Sequence, residues 1–168
     1  MKPAQTGQID TRFSAPEAGP APWDEVEAVL ERAELYWIST VRADGRPHVT
    51  PLIAVLHDGA LHFSTGLREQ KAHNLEANPN VALTTGRNDS AGGVDVVVEG
   101  TAARIAGRDR LQAIADAVEA KYGSVWHFDV EGDDGFESVG GLAAVFRIDA
   151  SKVLAFAKDP YAQTTFRF

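Results

Sequence analysis

LHFSTGLREQKAHNLEANPNVAL, residues 61–83, decides how the rest of the chain is read. Leu61 and Phe63 alternate with polar residues, Gly66 permits a sharp exit, and Lys71, Asn74 and Leu75 then recur at helical spacing. The segment therefore reads as a strand, a turn, a helix and a second strand. First-turn N–H groups of a helix lack acceptors and the helix dipole favours negative charge there, so such a junction suits a phosphate. Ser64 and Thr65 offer hydroxyl donors from the strand end, and Arg68 and Lys71 offer positive charge in or near the first turn. A solvated surface helix has the same pattern, because the glycine repetition of a P-loop is missing. The residues alone leave both readings open.

Upstream, Val26, Val29, Leu30 and Ala33 recur at helical spacing behind Asp24, Glu25 and Glu27, which predicts a short amphipathic helix from Trp23. Residues 1–21 are rich in Pro, Gly and polar residues without periodicity and read as a flexible or surface-draped N-terminal arm. Asp44-Gly45 and Asp58-Gly59 separate apolar runs, which predicts hairpins through turns of positive φ and three antiparallel strands. Pro51 cannot donate a ladder hydrogen bond, so the middle strand is expected to bend, bulge or lie at an edge there. That break can turn backbone groups of His48, Val49 and Thr50 toward a flat ligand.

Downstream, Val81–Thr85 and Val94–Ile105 read as strands, with Gly100 marking a bend that lets a sheet curl. Leu111, Ile114, Ala115, Val118 and Tyr122 mark the core face of a helix ending at Gly123. Residues 124–141 have no period and read as a loop in which Trp126, His127 and Phe128 either lid a pocket or pin the connection. Two final strands, LAAVFRI and VLAFA, joined through Asp149 to Lys152, precede the tail KDPYAQTTFRF.

Composition narrows the function classes. Hydrophobic residues make up 44% and charged ones 24% of 168 residues, which fits one globular domain, residues 22–168, with a sizeable core. A formal net charge of −8 argues against nucleic-acid or anionic-membrane partners, both of which need a basic surface. The absence of cysteine removes thiolate nucleophiles and cysteine-ligated metals, and the five histidines show no H-x-x-x-H pair, so no metal site is expected. A G-x-S-x-G elbow is also missing. With no apolar signal or membrane-length segment, the expected location is cytoplasmic.

The blocks ISTVRADGRPHVTPL, FSTGLREQKAHNLEANPNVAL, DVVVEGTA and AFAKDPYAQTTFRF, in that order, resemble the flavin- and deazaflavin-binding split-barrel family that includes pyridoxamine 5′-phosphate oxidase. The resemblance implies a mainly β fold with flanking helices, a six-stranded Greek-key split β-barrel, forming a homodimer with cofactor sites at the subunit interface. It implies that Ser64, Thr65, Arg68, Lys71 and Asn74 form the cofactor-phosphate segment, with Lys71 the charged contact. It also implies that His48, Val49, Thr50 and Pro51 lie along the ring of FMN or of the deazaflavin F-420. Many relatives place a basic residue two positions before the lysine; this chain has Glu69, and Arg68 is the candidate substitute. TTFRF lacks the arginine- and histidine-bearing motif of true pyridoxamine phosphate oxidases.

The resemblance thus implies an F-420- or FMN-dependent oxidoreductase passing hydride to a small conjugated or carbonyl substrate. A pyridoxamine phosphate oxidase-like enzyme and a non-catalytic cofactor- or haem-binding barrel are the alternatives. No side-chain catalyst is apparent: Tyr122, His127 and Tyr161 are as readily explained by packing as by proton donation.

Overall fold

A computed structural model describes residues 1–168. Its centre is a circuit of strands: β2 (Tyr36–Val41), β3 (Pro47–Leu52), β4 (Val55–His57), β5 (Ala60–Gly66), β6 (Asn80–Thr85), β7 (Val94–Arg104) and β10 (Ala143–Lys158). β3 pairs with β2, and the chain then passes through Ile53-Ala54 into β4, which pairs with β5. β5 pairs with β10, β10 with β7, β7 with β6, and β6 with β2, so the circuit closes antiparallel throughout. Counting β3 and β4 as one interrupted staff gives the expected six-stranded split barrel. Pro51 lies just before the split, on a strand whose one ladder partner is β2, where a missing N–H costs no ladder bond.

The connection is a Greek key. After β5 the chain crosses through α2 (Gln70–Ala77) to β6, runs back along β7, and later inserts β10 between β7 and β5. The barrel interior is one cluster of 19 buried residues, including Tyr36, Ile38, Leu61, Phe63, Leu83, Val98, Ile148 and Phe166. α1 (Trp23–Arg32) sends Val26 and Leu30 into it. A second cluster lies outside the barrel wall, where α3 (Arg108–Tyr122) packs Leu111, Ile114, Ala115 and Val118 against Val55, Phe136 and Val145.

Several details differ from the sequence reading. The two final strands are one: β10 is a single strand of 16 residues, bent by a bulge between Ala150 and Lys152 rather than turned. Gly100 faces that bulge, and a Cβ there would meet Asp149 O at 2.3 Å, so close approach explains the glycine. The tail folds back as β11 (Tyr161–Arg167) along β10. Within residues 124–141 lies a small hairpin, β8 (Val130–Glu131) with β9 (Gly135–Phe136). Asp58 and Gly59 both have positive φ, as a type I′ turn requires, whereas at Asp44-Gly45 the glycine alone does. That second turn is a type I turn closed by Gly45 N–H to Arg42 O (2.9 Å), followed by a glycine in the left-handed region. The first 21 residues drape over β11: β1 (Gln8–Ile9) pairs with Thr164 and Thr165, and Ser14 and Ala15 are buried.

Candidate functional site

The strand end Ser64-Thr65-Gly66 leads through a tight turn, Glu69 N–H to Gly66 O (3.0 Å), into α2, whose N-terminus no side chain caps. Three groups converge there. The Lys71 side chain is only 8% exposed, and its ammonium hydrogen-bonds Glu69 Oε2. Thr65 is 2% exposed and its hydroxyl has no hydrogen-bond partner, an uncommon state for a buried polar group. Gly66 N–H donates to Glu69 Oε1 at 2.9 Å. Burial pushes the Glu69 carboxyl up, but the Lys71 ammonium, the Gly66 N–H and the nearby Thr65 hydroxyl outweigh it and hold the group below its ordinary range.

This corner opens into a groove of about 520 Å³, lined by Leu52, Ser64, Thr65, Glu69, Trp126 and Phe128 among others. That size suits a small-molecule ligand. Phe128 stacks on Phe136 at 5.0 Å and so pins the aromatic connection, while Trp126, 41% exposed, lines the groove between Tyr122 and Phe128. A larger cavity of about 780 Å³ lies between α1 and the strand ends at Trp37 and Thr85. It contains no buried polar atom without a partner, so the smaller groove is the better candidate.

Of the expected site residues, Ser64, Thr65 and Arg68 line the groove, whereas Lys71, Asn74, His48, Val49, Thr50 and Pro51 do not. Ser64 and Thr65 are successive in β5 and point to opposite sides of the sheet, as the pleat dictates. Arg68 lines the groove and donates from one guanidinium nitrogen to Gly140 O (2.8 Å), fastening the loop that follows β9. Asn74 is 3% exposed and spends its amide on packing: Nδ2 donates to Thr40 Oγ1 (2.9 Å) and Oδ1 accepts from Gln70 (2.8 Å). Along β3, His48 and Thr50 turn inward while Val49 and Pro51 face out. His48 Nδ1 lies 3.4 Å from Thr40 Oγ1, and partial burial with the charges of Arg42 and Lys71 pushes its pKa down. The Thr50 hydroxyl, like that of Thr65, is buried without a partner.

Sequence reasoning missed the parts played by Thr40 and Glu69. Thr40 is 1% exposed and links α2 to β3. A polar residue at an inward-facing strand position was the signal available. Of the three candidate proton donors, Tyr122 is tied to Ala54 O (2.8 Å), His127 turns outward between Glu119 and Asp129, and Tyr161 is exposed on β11.

A six-stranded antiparallel barrel, split at one staff and holding a buried lysine where a strand runs into a short helix, defines the class of split barrels. Within that class, residues 22–156 match the family model of pyridoxamine 5′-phosphate oxidase, and the chain belongs to this family. None of the curated proteins matches the chain. Among solved structures, the chain is similar to the conserved hypothetical protein Rv2991 of Mycobacterium tuberculosis, with TM-score 0.66, 17% identity and 90% of each chain covered. It is similar to a heme binding protein of Mycobacterium smegmatis, with TM-score 0.69 and 16% identity over 89% of this chain and 59% of that one. It also resembles a pyridoxamine 5′-phosphate oxidase-related, FMN binding protein of Nostoc punctiforme, with TM-score 0.58, 17% identity and 89% and 93% coverage. At these identities the likeness establishes the fold.

Proposed function

We propose that this chain binds a phosphorylated tricyclic redox cofactor, FMN or F-420, and works as an oxidoreductase on a small conjugated or carbonyl substrate. The observation that carries the reading is the buried, partnerless Thr65 hydroxyl beside the buried Lys71 ammonium. Both are placed where a strand feeds an uncapped helix, and an anionic ligand supplies the acceptor that Thr65 lacks. Lys71, Thr65 and the Gly66 N–H would hold the phosphoryl group, and Thr50 with the unpaired side of β3 would orient the ring. Trp126 and Phe128 would keep water from one side of the groove. When bound, the cofactor supplies the hydride chemistry.

Side-by-side titration of the apo-protein with FMN and F-420, read by fluorescence, tests the proposal and separates the two. Lys71→Ala is expected to weaken the tighter of them by about 1–3 kcal/mol, the loss of a charge-assisted hydrogen bond. Unchanged affinity would remove Lys71 from the site.

Trp37, Val41 and Val49 are exposed on the outer face of β2 and β3, at 42%, 37% and 54%. We propose that a second copy covers this face in a homodimer and completes the ring site. Sedimentation equilibrium is expected to give a dimer, and Val49→Asp a monomer. A haem-binding role without turnover is the second reading, favoured by the likeness to the mycobacterial heme binding protein. A Soret band on haem titration, with no flavin or deazaflavin binding, would select it.

A further inference from the structure

We propose that Glu69 is a resident anion that occupies the phosphoryl seat and sets its selectivity, so that a phosphorylated ligand binds by exchange with this carboxylate. This rests on the reading of the Thr65–Lys71 corner as that seat.

The two carboxylate oxygens already satisfy two of the donors assigned to the ligand: Oε1 takes the Gly66 N–H at 2.9 Å and Oε2 takes the Lys71 ammonium. Carboxylate and phosphoryl groups present similar two-oxygen edges to such donors. Glu69 is the one hydrogen-bond partner of the Lys71 ammonium, and the Arg68 guanidinium, which lines the groove, donates to Gly140 O and makes no bond to Glu69. With Glu69 in place the seat is electrically balanced, and an added phosphate would meet a carboxylate at contact distance. The side chains differ in freedom: that of Glu69 is 52% exposed and can rotate into solvent, whereas that of Lys71 is 8% exposed and cannot follow. The Thr65 hydroxyl lies close enough to the Glu69 carboxylate to help lower its pKa, yet it makes no hydrogen bond of good geometry to it, so the carboxylate fills that part of the seat imperfectly.

Exchange has a chemical consequence. Donors that pass from one anion to another yield less net affinity than donors that were open, so the phosphate of a bound flavin contributes less in the native protein than it would with the seat vacant, and the loss on Lys71→Ala falls toward the low end of its range. Free inorganic phosphate, with no ring to anchor it, does not displace the carboxylate. Glu69 therefore makes the site choose by ring rather than by phosphate.

The test compares the native protein with Glu69→Gln and Glu69→Ala, after thermal unfolding has shown that each variant folds. Each is titrated with FMN, riboflavin and inorganic phosphate. Both variants are expected to bind FMN roughly tenfold or more tightly, with riboflavin unchanged, and to bind inorganic phosphate that the native protein ignores. Glu69→Ala removes the carboxylate without leaving an amide beside the ammonium, so it decides the matter should Glu69→Gln fail to fold. An FMN-to-riboflavin preference and a phosphate response identical to native in the folded variants would overturn the proposal while leaving cofactor binding intact. Phosphate binding confined to the variants, with no flavin bound by any form, would uphold the seat and sink the redox reading instead.

Discussion

Two lysines near the barrel show how a buried polar cluster is closed and how one is left open. Lys121, at the end of α3, donates to Ala54 O (3.0 Å) and to the Tyr36 hydroxyl (3.3 Å), and its ammonium lies about 5 Å from the Tyr36 and Tyr122 ring centres. Tyr36 in turn donates to Leu30 O, and Tyr122 accepts from Ala54 N–H (3.3 Å) and donates to Ala54 O. Burial pushes the Lys121 pKa down to about 8 against the pull of the Glu31 charge, and the ammonium's hydrogen bonds go to neutral oxygens, with no carboxylate in contact. At the Lys71 corner, by contrast, the buried Thr65 hydroxyl has no hydrogen-bond partner, as is also true of Thr50 on β3, and the one counter-charge is carried by a half-exposed side chain. The first arrangement is complete within the chain. The second is completed by something from outside, and that contrast is the best physical reason for placing function at Lys71.

Substitutions at the closed cluster should therefore cost stability, and those at the open one should cost binding. The largest effect is expected from Tyr36→Ala, which removes a fully buried ring and one of the two acceptors of Lys121. A loss of about 3–5 kcal/mol in urea unfolding is the range for such truncations.

A third buried polar residue, His62, sharpens the contrast, because it is closed yet titratable. Its Nδ1 bonds Ala60 O (3.1 Å), and burial pushes its pKa down to about 4, against 6.5 for the free side chain. Between those values the unfolded chain binds a proton that the folded one refuses. The stability conferred by neutral His62 is therefore full above pH 6.5 and is lost as pH falls toward 4. A drop of about 2 kcal/mol between pH 7 and pH 5 follows. His62→Gln should flatten that slope.

Smaller effects divide the clusters by sign. Tyr122→Phe strips the Ala54 N–H of its acceptor and should cost about 1–2 kcal/mol with ligand affinity unchanged. Thr65→Val replaces a partnerless hydroxyl by a methyl group of the same shape, so stability should hold or rise by about 1 kcal/mol. FMN affinity should nevertheless fall. A Thr65→Val protein that is destabilised and binds normally would erase the distinction.

Local pattern made the barrel legible. Alternation in β5, helical spacing from Lys71 to Leu75, and glycine at position 100 each report on neighbours close in sequence or on a backbone requirement. The last strands were harder, because Asp149–Lys152 has the polarity of a turn; its bulge depends on the register with β7, which no local window contains. β11 was hidden for a related reason, since its buried residues Thr164 and Phe166 gain meaning only beside β10.

The candidate corner was visible in outline through Ser64, Thr65 and Lys71. Its working details were not. Whether Arg68 meets a ligand or Gly140 O is settled by a contact 72 residues away, and whether Glu69 repels or occupies the seat is a matter of rotamer.

The sixteen-residue strand β10 binds β5, β7, β9 and β11 in turn. A beam nailed to four walls cannot come loose by itself, so neither half of the barrel has an independent melting event. Its central amides are expected to exchange with deuterium only through whole-molecule opening. A ligand gripped at the groove would slow that exchange along the entire beam, including amides far from any contact.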